Sequence, residues 1–428
     1  MKPILQLALD FVDIQRALKA AEAAVEGGVD WIEAGTPLIK SEGLAVVRAL
    51  RARFPDKTIV ADMKIMDAGR IEVEAAAKAG ADIVDVLGAA SDATILECVE
   101  AGKNYGAKIA VDLIAVKDIV GRAKEIEMMG ADYITVHCSI DDQMRGENPF
   151  SVLQKVCEAV STPVGVAGGI NSETAHQAVA AGACVIIVGG AITKSPDPSH
   201  ATALLKKAIA EQASIPSQWF KRTDERGIKS ILERVSAANV SDALHRSGAL
   251  KGLRPLFLGA KLVGRAITVR TYPGDWAKPV QAIDVASQGD VIVIDAGGVG
   301  PAVWGELATQ SALQKGIAGI VVEGAVRDTY EISRMRFQTY ARLIMPNAGE
   351  PKGFGEIGVP ITVGGEKVET GDWIIGDDDG VMRLPKAVAV EYANRAMDVL
   401  ERENRIRQEI EEGSTLGKVA ELLRWEKR

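Results

Sequence analysis

The sequence predicts a small (βα)8 barrel over its first half and a second, mixed α/β domain over the rest. Three observations carry this. Short β-branched runs alternate with longer amphipathic stretches through the first 200 residues. Eight of these runs end at near-equal intervals, and the rhythm stops just after residue 212.

The runs are ILQLALD, VDWIEAG, TIVADMK, DIVDVLG, KIAVDLI, DYITVHC, PVGVAGG and CVIIVGG. Alternation of such runs with helical patterns marks repeated βα units on a parallel sheet. Their ends fall at Asp10, Glu33, Asp62, Leu87, Asp112, His137, Ala167 and Gly189, at intervals of 23, 29, 25, 25, 25, 30 and 22 residues. Eight uninterrupted units fit a closed barrel better than an open doubly wound sheet. Helical stretches such as IQRALKAAEAAVEGG and SETAHQAVAAGA end in glycine, as helix C-termini often do. The variants AGADIV, MGADYI and AGACVI fit one repeated helix-to-strand turn. HATALLKKAIAEQ supplies the last barrel helix, so the barrel is expected over 1–212, a linker over 213–228 and the second domain over 229–428.

The second half has another texture. Strands are expected in KLVGRAITVRTY, DVIVIDAGG, GIVVEGAV and DWIIGDDDGVMRLP, and the glycine-rich ITVGGEKVETGD reads as hairpin turns. From Pro385 the tail reads as charged helix with a solvated or subunit-packing face.

Bulk properties exclude several function classes. The formal net charge of the 428-residue chain is −8, which argues against a nucleic-acid binder. No apolar run approaches the roughly 20 residues of a spanning helix. The start, MKPILQLALDFVD, acquires acids too early for a signal peptide, and the protein reads as cytoplasmic. Cys98, Cys138, Cys157 and Cys184 form no CxxC pair and read as reduced, packed thiols.

Polar residues gather at the C-terminal ends of the expected strands, the face on which barrels build active sites. Asp10, Glu33, Asp62 with Lys64, Asp112 and His137 lie at the ends of strands 1, 2, 3, 5 and 6. Glu33 and Asp62 on adjacent strands suit Mg²⁺ (or Mn²⁺), hard ions that take oxygen ligands. Lys64, two residues along, points the same way in an extended segment and steadies an enediolate. Asp67 completes Asp62-x-Lys64-x-x-Asp67, and His137 is the candidate proton-transfer group. Gly168-Gly169 and Gly189-Gly190, after strands 7 and 8, offer bare backbone N–H groups to a substrate phosphate.

With ADMKIMDAG at 61–69, VDLI at 111–114, VAGGI at 166–170 and VGGAI at 188–192, the first half resembles the 3-hexulose-6-phosphate synthase family of the orotidine-monophosphate-decarboxylase-like barrels. The resemblance implies a reversible aldol reaction of ribulose 5-phosphate with formaldehyde, giving hexulose 6-phosphate. It implies that Glu33 and Asp62 hold Mg²⁺ and that Lys64 stabilises the 1,2-enediolate. Asp10 and Asp112 would position metal, lysine or sugar hydroxyls, and Asp67 would reach a neighbouring subunit's site. The alternative is a 3-keto-gulonate-6-phosphate decarboxylase, whose family usually carries an arginine three residues after the strand-6 histidine. Here that residue is Ile140, which favours the synthase.

In the second half, Glu306 is followed after twenty residues by Arg327-Asp328, and DAGGVGPAVWG at 295–305 supplies glycine-rich backbone. Arg327 offers a planar fork for a carboxylate or enolate. Asp328 holds a divalent metal directly or through water, which Glu306 orients. This region, with GDDDGVMRLP at 376–385, resembles the ribonuclease-regulator-A-like superfamily, which includes class II 4-hydroxy-4-methyl-2-oxoglutarate aldolases and oxaloacetate decarboxylases. That implies a 2-oxo acid substrate, or else a non-enzymatic regulatory or assembly module. The Asp377-Asp378-Asp379 run also reads as a solvated turn. Both resemblances imply a homo-oligomer.

Overall fold

The computed structural model describes residues 2–217, 220, 222–259 and 261–419. The chain divides into two compact units, Met1–Arg222 with Glu401–Arg428, and Thr223–Leu400.

The first unit is a closed barrel of eight parallel strands: β1 (Ile4–Leu9), β2 (Trp31–Ala34), β3 (Thr58–Ile65), β4 (Ile83–Leu87), β5 (Lys108–Asp112), β6 (Tyr133–His137), β7 (Val164–Ala167) and β8 (Val185–Val188). β8 pairs back onto β1 with Ile4 opposite Val185, so the open-sheet alternative falls. Leu5, Leu7, Leu9, Ile32, Ile59 and Ile134 are fully buried against the surrounding helices. The helices form as their patterning requires. Ile14–Glu26 buries Ala17, Ala20, Ala21 and Ala24 on one face, and the Asp13 side chain caps its start by accepting from Arg16 N–H.

The recurrent turn between helix and strand has a physical cause. Gly80, Gly106 and Gly130 close helices in the left-handed region, at φ 107°, 76° and 87°, where other residues are strained. The aspartate that follows in GVD and GAD then stitches neighbouring strands. Asp30 accepts from Leu5 N–H at 2.8 Å, Asp82 from Ile59 N–H at 2.7 Å, and Asp132 from Ile109 N–H at 2.9 Å. Each satisfies a donor at the start of the preceding strand.

The second unit is a mixed sheet rather than another barrel. Among the described residues its central path runs Gly380–Leu384, Trp373–Asp377, Leu262–Arg270, Val291–Asp295, Gly319–Val326, Gln338–Ile344 and Arg254–Pro255. The expected hairpin is present: Ile361–Val363 pairs antiparallel with Glu366–Val368 around Gly364 and Gly365, both at positive φ. The Asp377–Asp379 run forms the turn of the hairpin between Trp373–Asp377 and Gly380–Leu384. Its carboxylates are engaged: Asp377 accepts from Ala237 and Asp379 N–H, and Asp378 from Gly259 N–H. That run is a structural turn.

The tail departs from the expected boundary. The helix Ala389–Glu411 buries Ala393, Ala396 and Met397 in the second unit's core. From Glu401, however, the chain groups with the barrel, where Glu409 pairs with Arg16 and Glu412 with Lys19. The second domain therefore ends at Leu400 rather than at 428, and the expected linker over 213–228 divides between Arg222 and Thr223. Charge pattern alone marks this helix as solvated and does not say which surface takes its last turns. Residues 420–428 of the expected tail lie outside the described residues. All four cysteines are free thiols, and burial raises each of them, Cys98 to about 12. Among the described residues no helix is long and apolar enough to cross a membrane.

Candidate active site

The strand ends bring the expected acids to one mouth of the barrel. Glu33, Asp62 and Asp112 lie on β2, β3 and β5 and are 5%, 5% and 3% exposed. Their meeting point is Lys64. Its Nζ lies 3.1 Å from both oxygens of Asp62 and 3.0 Å from Oδ2 of Asp112. This geometry does not come from plain alternation along a strand. The β3–β4 register shifts between Ala61 and Ile65, and Lys64 adopts φ 45°. A bulge with a left-handed lysine re-aims the side chain, a form of backbone strain that concentrates at functional sites.

Electrostatics follow from this arrangement. Burial works to lower the Lys64 ammonium, but Asp112 and Asp62 outweigh it and hold it well above its ordinary range. Asp112 is drawn the other way. Burial opposes its charge, yet the hydrogen bond and charge of His137, with Lys64, bring it down to about 2. His137 Nδ1 stands 2.8 Å from Asp112 Oδ2. An ionised carboxylate only accepts, so Nδ1 carries the hydrogen and Nε2 is left to exchange a proton.

Glu33 is pushed well above the carboxylate range, first by burial and then by Asp62, Asp85 and Asp10. Gln6 Nε2 donates to its Oε2 at 2.6 Å, and Thr36 Oγ1 donates to Asp62 Oδ2 at 2.7 Å. Among the described residues no set of three or more His, Cys, Asp or Glu side chains is arranged as a metal cage. Two buried, mutually repelling carboxylates with lone pairs to spare nonetheless fit Mg²⁺, which usually takes one or two carboxylates and keeps several waters. Asp10 follows β1 at the mouth. It keeps an exposed face, yet partial desolvation by its neighbours and then Asp62 raise its carboxyl, against Lys64, His137 and Lys194.

Three neighbours escape a sequence reading. Asp85 sits inside β4, 8% exposed, with Oδ1 lacking a hydrogen-bond partner; burial and then Asp62 push it well above its usual range. Gln6 and Thr36 orient the two acids. Asp67 is separate from this cluster: it is exposed in the loop after β3 and accepts from Ala68 N–H. The glycine pairs flank the mouth, with Gly168 and Gly169 at φ 105° and 71°.

In the second unit, Arg327 and Asp328 follow the strand Gly319–Val326, with Arg327 Nε 3.5 Å from Asp328 Oδ2. The same Oδ2 accepts from Glu306 N–H at 3.0 Å, and Gly305 has no room for a side chain beside it. Glu306 therefore meets Asp328 through its backbone, while its carboxylate accepts from Gln310 Nε2 at 2.9 Å, one helical turn on. Asp328 Oδ1 accepts no hydrogen bond among the described residues, so it fits as a single direct metal ligand. Gly297 and Gly298 hold φ near 75° in the glycine-rich loop.

Comparison with known proteins places both halves. The orotidine 5'-phosphate decarboxylase / HUMPS family model matches residues 3–204, and the RraA-like (Aldolase/RraA) model matches residues 237–383. The chain is 43% identical over 208 residues to the 3-hexulose-6-phosphate synthase of Bacillus subtilis (strain 168), covering 48% of this chain and 99% of that protein. It is 42% identical over 206 residues to the 3-hexulose-6-phosphate synthase of Mycobacterium gastri, with 48% and 99% covered. A crystal structure of 3-hexulose-6-phosphate synthase aligns at 42% identity and TM-score 0.47, over 49% of this chain and 99% of that one. The second half is an RraA-like domain, so the chain is a fusion of the two.

Proposed function

We infer the function from one premise: the chain belongs, through its first half, to the 3-hexulose-6-phosphate synthase family, and that half is an enzyme. We propose that it catalyses the reversible aldol reaction between ribulose 5-phosphate and formaldehyde, with Mg²⁺ or Mn²⁺ held by Glu33 and Asp62. The observation that carries this reading is the Lys64 ammonium clamped between Asp62 and Asp112 beside His137.

The chemistry then follows from the residues. When bound, the divalent ion supplies Lewis-acid polarisation of substrate oxygens. His137 Nε2 takes a proton from C1 of ribulose 5-phosphate, leaving a 1,2-enediolate. Lys64, fixed as a cation, faces the charge that develops on its oxygens. C1 then bonds to the formaldehyde carbon, the formaldehyde oxygen takes the proton back from His137, and the new hydroxymethyl group completes hexulose 6-phosphate. Asp112 holds His137 in one tautomer, and Asp10 orients sugar hydroxyls or the lysine. Retro-aldol cleavage uses the same groups in reverse. The carbonyl-forming step suits a carbohydrate lyase, and the reading places the enzyme in the cytoplasm.

Asp67 belongs to a subunit contact in this reading. It lies between exposed Met66 (54%) and Ile71 (70%), apolar surface that a second copy would cover. For the second unit we propose a 2-oxo acid lyase activity. Arg327 binds the substrate carboxylate, and Asp328, with Glu306 acting through water, holds a divalent ion. The half-exposed Arg327 guanidinium beside Asp328 favours it over a purely regulatory module.

The test is formaldehyde consumption with ribulose 5-phosphate, with and without Mg²⁺. Glu33→Gln and Asp62→Ala should each abolish turnover with the fold intact, and full activity in Asp62→Ala would end the metal assignment. Oxaloacetate decarboxylation that is unchanged by Arg327→Ala would end the second reading.

A further inference from the structure

One layer of the barrel interior is underfilled. Alternation along each strand turns every second residue inward, and such barrels stack these side chains in layers of four from alternate strands, mostly bulky and branched. Here β1, β3, β5 and β7 supply Gln6, Val60, Ala110 and Gly165 to one layer. Ala110 and Gly165 are too small to fill it. A cavity of about 10 Å³ remains, lined from all eight strands. That is about the room one water molecule needs.

The next layer toward the mouth comes from the other four strands, as Glu33, Asp85, Thr135 and Ile187. Three polar side chains border the void: Gln6, Asp85 and Thr135. Asp85 is buried, and its Oδ1 has no hydrogen-bond partner among the described residues. A Cβ on Gly165 would stand 3.3 Å from Thr135 Oγ1, so that hydroxyl faces the space the glycine leaves. Gln6 commits its Nε2 to Glu33 at 2.6 Å, which leaves Oε1 as its polar atom for the cavity. A buried oxygen without a partner is costly, and a small polar void beside it is where water satisfies such a group.

We propose that this cavity is a binding site for one water molecule, and that through it Asp85 positions Glu33. The water accepts from Thr135 Oγ1 and donates one hydrogen to Asp85 Oδ1 and the other to Gln6 Oε1. Three bonds are the usual complement of a buried water. The bond to Oε1 decides which way the Gln6 amide faces. With Oε1 on the water, Nε2 is turned to Glu33. The reversed amide would set two oxygens against each other there. Asp85 is therefore a positioning residue, which acts at the mouth without touching substrate. This role rests on the metal reading of Glu33 above and deepens it: the order of the ligand is set from inside the barrel, one layer below the mouth.

The experiment is a crystal structure of the full chain that resolves ordered solvent, alongside electron paramagnetic resonance titration of free Mn²⁺. One water is expected at about 2.5–3.0 Å from each of Asp85 Oδ1, Gln6 Oε1 and Thr135 Oγ1. An empty cavity, or a metal ion in place of the water, overturns the proposal. Asp85→Val should weaken Mn²⁺ binding by roughly tenfold or more, the scale of a lost outer-shell partner, and Asp85→Asn, which keeps an acceptor oxygen, should stay within about threefold. Equal losses in the two variants would mean that the charge of Asp85 acts on the ion directly. No loss in Asp85→Val would mean that Gln6 needs no such support. Either result overturns the proposal. Thr135→Val keeps the shape and removes only the donor, so it carries the test if Asp85→Val does not fold. It should weaken Mn²⁺ by about threefold or more, and unchanged affinity overturns the proposal. A parent protein that binds no Mn²⁺ with the water in place would sink the metal reading of Glu33 and leave the water site standing.

Discussion

One carboxylate oxygen, Oδ2 of Asp112, serves both His137 Nδ1 at 2.8 Å and Lys64 Nζ at 3.0 Å. The proton-transfer group and the enediolate-stabilising cation are thus set by a single acceptor on β5. Neither side chain moves without disturbing the other's partner, and hydrogen bonds that share an ionised group are the strong ones.

Asp112→Asn is expected to damage both functions at once. The amide removes the charge that holds His137 in one tautomer and offers Lys64 a weaker partner. kcat should fall by roughly 10²-fold or more, the usual scale for a misplaced general acid–base group. Steady-state kinetics with ribulose 5-phosphate and formaldehyde measure it. A kcat within threefold of the parent would show that the shared oxygen is structural only.

The same residue makes stability depend on acid. Asp112 titrates at about 2 when folded, against 3.8 without the fold. Its contribution is therefore fully present above pH 3.8 and is lost as pH falls through 2. The depression corresponds to about 2 kcal/mol. Urea denaturation of the parent and of Asp112→Asn should show the parent's advantage shrinking by about that amount between pH 4 and pH 2. A constant difference across that range would contradict the assignment.

Gln6 bears on the metal. It lies three residues into β1, buried, and its amide donates to one oxygen of Glu33. Gln6→Ala should weaken Mn²⁺ binding by about 10–100-fold, the range typical of lost outer-shell partners. Electron paramagnetic resonance titration of free Mn²⁺ reads this without any turnover. Equal affinity in both proteins would mean that Glu33 needs no such support.

How much of this is legible in the sequence depends on what sets each position. The acids at the ends of β1, β2, β3 and β5 and the histidine at the end of β6 are visible because the barrel repeat marks where each strand stops, and polar residues there have one common face. Asp85 is not, because β4 is buried on both sides and its acid sits within an apolar run with no alternation to betray it. Gln6 is hidden for the same reason. The bulge at Asp62–Lys64 is a backbone event between β3 and β4, and neither strand's composition records it. Glu306 is a different case. Its spacing to Arg327-Asp328 shows that the three can meet, but not that Glu306 does so through its backbone N–H while Gln310, one turn along the same helix, donates to one of its carboxylate oxygens. The tail was legible as a helix and illegible as a partner, since its last turns are held by ion pairs from Arg16 and Lys19, hundreds of residues away.

Gly35 gives a last test, of Asp10. It precedes the helix Thr36–Glu42 at φ −67°, a conformation open to any residue, so only space forbids a side chain. A Cβ there would overlap Asp10 Oδ1 and stand 2.8 Å from Leu9 O. The Leu9 carbonyl belongs to β1, where pairing of Leu9 with Ala34 of β2 leaves it little room to yield, so the Asp10 carboxylate must move instead. Gly35→Ala should therefore cost about 1–3 kcal/mol of stability by overpacking and lower kcat/KM by roughly tenfold or more through Asp10. Asp10→Asn separates the two effects, because it removes the charge and keeps the shape. If Gly35→Ala loses stability with kcat/KM intact, Asp10 takes no part in holding the sugar or the lysine. If both variants lose activity while only Gly35→Ala loses stability, the carboxylate acts on the reaction and not on the fold.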